Sequence, residues 1–140
     1  MKLVVVAVGK IRERALREIL DDYRDRIRHY ARFEETEVRD AQSIERSLPA
    51  DARVIALEVA GEALDSPSFA RRLAGWTSQG KGVVAFVIGG ADGIPAAFSR
   101  RADARLSLSK LTLPHRLARV MLFEQLYRAM TILRGEPYAH

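Results

Sequence analysis

Six consecutive apolar residues, Leu3 through Val8, end abruptly at Gly9. A β-branched run with no alternating polar residue belongs to a strand covered on both faces, and such strands occur in parallel sheets with helices on either side. The pattern recurs: RVIALEVAG (53–61) and VVAFVIGGADG (83–93) are further buried runs that close on glycine. Between them, DSPSFARRLAGWTSQG predicts a helix with Ser66 as N-cap, Pro67 at the first helical position and Gly80 as its stop. From Ile11 to about Arg32, Leu16, Ile19, Leu20, Tyr23 and Ile27 form one amphipathic stripe. FEETEV (33–38) reads as a strand, 39–50 as a short helix or connection, IPAAFSRRAD as a short helix and ARLSLS (104–109) as a last short strand. A final helix begins after Pro114 and runs to about Arg134, where Gly135 and Pro137 stop it. Strands alternating with helices predict an α/β fold, a mostly parallel sheet flanked by helices. At 140 residues, with no composition break, repeat or low-complexity tract, residues 1–140 make a single domain.

Composition narrows the function classes. There is no cysteine, which removes disulfide frameworks, thiolate metal sites and cysteine nucleophiles. The N-terminal apolar run is too short for a signal segment or a membrane span, so the expectation is a cytoplasmic protein with no membrane partner. Lysine and arginine total 23 against 18 acidic residues, and the net charge of +5 favours an anionic partner, nucleic acid first, although many basic proteins bind none.

In open α/β sheets ligands bind outside the carboxyl ends of the strands, which directs attention to the loops after Leu57, Ile88 and Leu108. GGADG, with glycines at 89, 90 and 93, lacks both the dinucleotide G-x-G-x-x-G spacing and the P-loop Gly-Lys-Ser/Thr. It is either a bare turn or a loop on which a ligand lies against the backbone. LSKLTL (108–113) mixes Ser109, Lys110 and Thr112 with three leucines, a combination that suits an adenosine-like ligand and equally suits an anchored solvent loop. His115 follows Pro114 at a helix start, where the dipole favours a neutral, base-competent imidazole; a capping or surface histidine is the alternative. Arg116 and Arg119 stand where that dipole repels them, so they are either anion contacts or an exposed basic edge. Glu124 and Arg128 have i,i+4 spacing and can pair structurally.

The last helix is apolar in nearly every direction, with Leu117, Val120, Met121, Leu122, Phe123, Leu126, Tyr127, Met130 and Leu133 spread around its wheel. Such a helix must be covered all round. Homodimerisation through it is one solution, and burial at the centre of the monomer is the other. The tail RGEPYAH ends on Tyr138 and His140, either frayed or folded over a site here or in a partner subunit.

VIGGADG, LSLSKLTLPHRLARVMLFEQLYRA and RGEPY, with the opening MKLVVVAVGK and the central VIALEVAGE, resemble the bacterial large-subunit rRNA pseudouridine N3-methyltransferase family of the SPOUT class, over nearly the whole chain. The resemblance implies an α/β fold with a C-terminal deep trefoil knot, a homodimer, and S-adenosyl-L-methionine bound at the knot. Position by position it implies cofactor contacts from Leu57, from Gly89 and Gly90, and from Leu108, Ser109, Lys110, Leu111, Thr112 and Leu113. Its implied target is N3 of pseudouridine 1915 in 23S rRNA of the assembled ribosome. Two departures stand out: the stretch between about 38 and 52 is shorter than usual, and Ala139 separates Tyr138 from the histidine that commonly follows it directly.

Moving a methyl group from a sulfonium to an imide nitrogen needs no metal; it needs in-line positioning, removal of the N3 proton and stabilisation of negative charge on the neighbouring carbonyls. His115, Tyr138 and His140 are the candidate proton acceptors, and Arg116, Arg119 and Arg128 the candidates for phosphate or oxyanion contacts. Arg12, Arg14, Arg24, Arg26, Arg28 and Arg32 on the first helix offer either RNA-facing charge or a solvated face. A related SPOUT enzyme acting on tRNA would share the cofactor loops, whereas a non-catalytic RNA- or ribosome-binding module would have no use for the LSLSKLTLPH loop.

Overall fold

A computed structural model describes residues 1–138. Five strands, β1 (Lys2–Val8), β2 (Arg32–Val38), β3 (Arg53–Ala63), β4 (Val83–Ile88) and β5 (Ala104–Ser107), form one sheet in the order β2-β1-β4-β3-β5. Every pairing is parallel, as the unbroken apolar runs require. The helices are α1 (Arg14–Ile27), α2 (Ile44–Ser47, preceded by a 3-10 turn), α3 (Ser66–Thr77), α4 (Ala96–Arg101) and α5 (His115–Arg134).

The period-2 alternation of the strands sorts the core into two layers. Leu3, Val5 and Phe86 point to the face covered by α1, α3 and α5, while Val4, Val6, Ala85 and Val87 meet Phe98 of α4 and Ile44 of α2. On the first face Phe123 of α5 stands perpendicular to Phe33 of β2 with centroids 5.0 Å apart, and Phe69 and Trp76 of α3 bracket Phe86. Full burial of one such ring contributes roughly 1.5–3 kcal/mol.

Several boundaries differ from the sequence expectation for local reasons. α1 begins at Arg14 because Ile11 is a buried loop residue whose N–H is donated to Glu37 rather than to a helical carbonyl (3.0 Å). The N-cap of α3 is Asp65, whose carboxylate accepts from the Ser68 N–H at 2.8 Å; Ser66 donates instead to Gln125 and ties α3 to α5. β5 stops at Ser107, whose hydroxyl donates to the Ser109 carbonyl and turns the chain. β3 runs past Gly61 to Ala63, with a break in its ladder: Leu57 and Glu62 both register with Leu106.

The apolar wheel of α5 divides in two. Leu122, Phe123, Leu126, Ala129 and Met130 are buried against the sheet, α1 and α3, while Leu117, Met121, Ile132 and Leu133 remain exposed. Among the described residues no helix is long and apolar enough to cross a membrane.

Candidate active site

The ladder break of β3 at residues 57–60 and the loops at the carboxyl ends of β4 and β5 converge on the N-terminus of α5 and enclose a cleft of about 1000 Å³. Eight of the nine residues assigned to cofactor binding line it. Leu57 stands at the ladder break of β3, Gly89 and Gly90 follow β4, and Leu108, Ser109, Leu111, Thr112 and Leu113 form the wall that leads into α5. Lys110 is exposed and does not line the cleft, because Ser109 Oγ accepts from the Leu111 N–H and turns that residue outward.

The GGADG segment is a tight turn and a cleft wall at once. The Gly93 N–H donates to the Gly90 carbonyl at 3.0 Å, and a Cβ placed on Gly89 would lie 2.5 Å from the backbone carbonyl carbon of Gly93. Only a residue without a side chain lets the turn fold back this closely.

His115 lines the cleft, half-buried, with Nε2 3.8 Å from where a Cβ would stand on Gly9. It is the one sequence-predicted catalytic residue found there among the described residues. Arg116 is exposed and paired with Glu13. Arg119 faces the opposite way. Its side chain is 1% exposed, Nη1 donates to Glu35 (2.8 Å) and to Glu37, and Nη2 donates to the Gly9 carbonyl (3.0 Å). Arg17 bonds the same two carboxylates, and Nε of Arg119 has no hydrogen-bond partner among the described residues. The expected anion contact is therefore a buried structural cation, drawn inward by two acids on the covered face of β2. Burial pushes the Glu37 carboxyl up, but the Ile11 N–H and the Arg119 guanidinium outweigh it and hold it below the ordinary value.

Arg128 and Tyr138 also lie outside the cleft lining. Arg128 donates to Glu124 from Nε (3.0 Å) and Nη2 (2.7 Å) and lies over the Tyr138 ring at 4.5 Å, so the i,i+4 pairing holds. Tyr138 packs on Tyr127, with its hydroxyl 3.4 Å from that of Tyr23; Tyr30 completes a cluster between α1 and α5. Burial, then hydrogen bonding to Tyr23 and Glu124, raises the Tyr138 phenol above its ordinary range, and its position outside the cleft lining counts against a role as proton acceptor. His140 lies outside the described residues.

Sequence reasoning missed Glu58, Arg100 and Ala118, all in the cleft lining, and the partners of Arg119. A signal for those partners existed: Glu35 and Glu37 alternate with Phe33, which places two acids on the face that a strand buries. Among the described residues no cluster of histidine, aspartate and glutamate could hold a metal ion.

A parallel sheet with a cleft at its carboxyl edge, walled by a glycine turn and a hydroxyl-rich loop, is an α/β domain with the geometry of a small-molecule site. The chain matches, over residues 1–140, the family described as "Predicted SPOUT methyltransferase". It is 54% identical to the ribosomal RNA large subunit methyltransferase H of Sorangium cellulosum, over all of both chains. It is also 43% identical to that of Anaeromyxobacter dehalogenans, over 99% of each. The chain belongs to the SPOUT methyltransferase family, in the group of these large subunit methyltransferases. Solved structures agree at the level of the fold. "A probable methylase family protein" from Haemophilus influenzae Rd KW20 superposes with a TM-score of 0.56 at 12% identity, over 95% of this chain and 66% of that one. TrmJ from Z. mobilis ZM4 gives 0.55 at 11% identity, over 100% of this chain and 73% of that one.

Proposed function

We propose that this chain is an S-adenosyl-L-methionine-dependent methyltransferase of large-subunit ribosomal RNA, acting in the cytoplasm on N3 of pseudouridine 1915 in 23S rRNA of the assembled ribosome. The observation that supports this reading is the cleft: the residues that the family resemblance implies for cofactor binding, Lys110 apart, meet there although they stand at three separate places in the sequence. The cleft residues suit the cofactor. The volume matches that of small-molecule sites, Leu57, Ile88, Leu108 and Leu113 offer apolar surface for a purine, and the loop backbones offer edges for its polar atoms. The deep trefoil knot of the C-terminal part belongs to the same proposal.

S-Adenosylmethionine supplies a methyl group already activated on a sulfonium. The residues of this chain then have to orient the acceptor, move one proton and offset one charge. His115 is positioned to take the N3 proton, directly or through one water, and pass it to solvent. Arg100, on the cleft wall and without an ion pair or hydrogen bond among the described residues, takes the anion-contacting role that Arg119 cannot fill. The neutral Tyr138 serves to dock the tail on α1 and α5.

Mass spectrometry of 23S rRNA from cells lacking the protein tests both levels. N3-methylpseudouridine should vanish, return with the intact gene, and stay absent with a His115→Ala copy. Its persistence in the deletion strain overturns the proposed target, and full rescue by His115→Ala removes that residue from the mechanism.

The exposed row Leu117, Met121, Ile132 and Leu133 on α5 supports homodimerisation through this helix. Sedimentation velocity at micromolar concentration should show a dimer, and Leu117→Glu with Met121→Glu should convert it to a folded monomer; an intact chain that is monomeric in this range removes the dimer from the reading.

A further inference from the structure

Glu58 has no ion pair or hydrogen bond with any described residue, yet it lines the cleft half-buried between Leu57 and Val59. Every other glutamate among the described residues has a cationic or hydrogen-bonding partner, from Glu34 with Lys2 to Glu124 with Arg128 and Glu136 with Tyr30. The backbone goes out of its way to put this carboxylate there. Leu57 and Glu62 share Leu106 as register partner, so residues 58–61 leave the ladder as a bulge, and bulges beside active sites re-aim side chains. The bulge depends on Gly61, where a Cβ would fall 2.7 Å from the backbone carbonyl carbon of Leu106.

Arg100 and His115 line the same cleft but neither bonds to Glu58, and a half-buried carboxylate left without a partner suits a cation that arrives with the ligand. Resting on the methyltransferase reading above, we infer that Glu58 is the counter-charge to the sulfonium of the methyl donor, and that it lets the cleft distinguish the donor from its demethylated product. During transfer the sulfur–methyl bond breaks as the nitrogen–methyl bond forms. Sulfur keeps the electron pair and becomes a neutral thioether, and the displaced proton leaves through His115. The ligand's positive charge at sulfur disappears in that step. Glu58 then loses the cation at sulfur, so the same cleft that holds the donor favours release of the product.

Titration calorimetry on the full chain, wild type against Glu58→Gln, with S-adenosylmethionine and S-adenosylhomocysteine, tests this. Glutamine keeps the shape and the hydrogen-bonding oxygen and removes only the charge. Affinity for S-adenosylmethionine should fall about tenfold, and affinity for S-adenosylhomocysteine should stay within about twofold, the size expected for one partly desolvated charge pair. Glu58→Asp should keep much of the discrimination. Equal weakening of both ligands would assign Glu58 to a group they share, the α-ammonium or the ribose hydroxyls, and overturn the inference, as would no change in either. A wild-type chain that binds neither ligand overturns the cofactor reading itself. An unchanged melting temperature for both variants is expected, since Glu58 bonds nothing in the fold, and the aspartate variant carries the comparison where glutamine alters folding.

Discussion

Gly89→Val should abolish measurable S-adenosylmethionine binding, a loss on the order of 100-fold or more by calorimetry, while the chain remains folded. Atoms within 3 Å of the added Cβ are the Gly93 carbonyl carbon and oxygen at 2.5 and 2.7 Å and the Ile94 nitrogen at 2.8 Å. All belong to backbone, so no side-chain rotation relieves the clash and the turn of residues 89–94 must move into or away from the cleft it lines. β4 is held independently by its pairing to β1 as far as Ala7 and Ile88, which confines the damage to the loop. Gly90→Ala is the contrasting control. Its Cβ would meet Val8 Cγ1 at 3.1 Å, the end of a side chain that can yield by a few tenths of an ångström, so its loss should be much smaller. Wild-type affinity in Gly89→Val would show that the turn is no wall of the cofactor site.

The second large effect concerns stability. Arg119→Ala should cost about 3–5 kcal/mol in chemical denaturation, because it removes the buried cation shared by Glu35 and Glu37, leaves only the partly exposed Arg17 to offset them, and frees the Gly9 carbonyl that fixes the first loop. Replacing the group together, Arg119→Met with Glu35→Gln and Glu37→Gln, should recover most of that loss, since neutral side chains need no counter-charge. The pH dependence has a definite sign. A carboxyl whose native value is depressed contributes stability above the ordinary value of about 4.3, and that contribution is lost as pH falls through the lower native value. Without Arg119 the Glu37 carboxylate has less to lose on protonation. The deficit of Arg119→Ala should therefore hold from pH 7 down to about pH 4.3 and narrow as pH falls below it. A cost under about 1 kcal/mol, or a deficit that does not change with pH, would show that the cation is dispensable.

The fold was legible wherever one strand or helix carries its own pattern. Leu3 to Val8, the run after Arg53 and the run after Val83 specify buried parallel strands, and the ligand loops follow from the geometry of such sheets, which is why Leu57, Gly89 and Leu108 come together. What was not legible depends on pairs distant in sequence. Arg119 and Glu35 lie 84 residues apart, and no local pattern says that an arginine one turn into a helix will turn inward to a strand instead of outward to an anion. The bulge after Leu57 likewise arises from β5 passing close to Gly61, and the choice of Asp65 over Ser66 as cap is settled by Gln125 claiming the serine hydroxyl. The sequence makes Tyr138 a candidate proton acceptor on a tail that is either frayed or folded over a site; in the fold, Tyr23, Tyr127 and Arg128 give it a docking place outside the cleft lining.

The aromatic residues are partitioned in a way that makes the molecule its own optical reporter. All four tyrosines sit in the one cluster where α1, α5 and the tail meet, whereas the single tryptophan, Trp76, is buried on α3 against Phe86 of the central strand. Tryptophan emission excited at long wavelength thus reads the integrity of the sheet, and tyrosine absorbance reads the docking of the tail. Detachment of the tail with the core intact would change the second signal and leave the first in place, so the two events can be followed separately in one unlabelled sample.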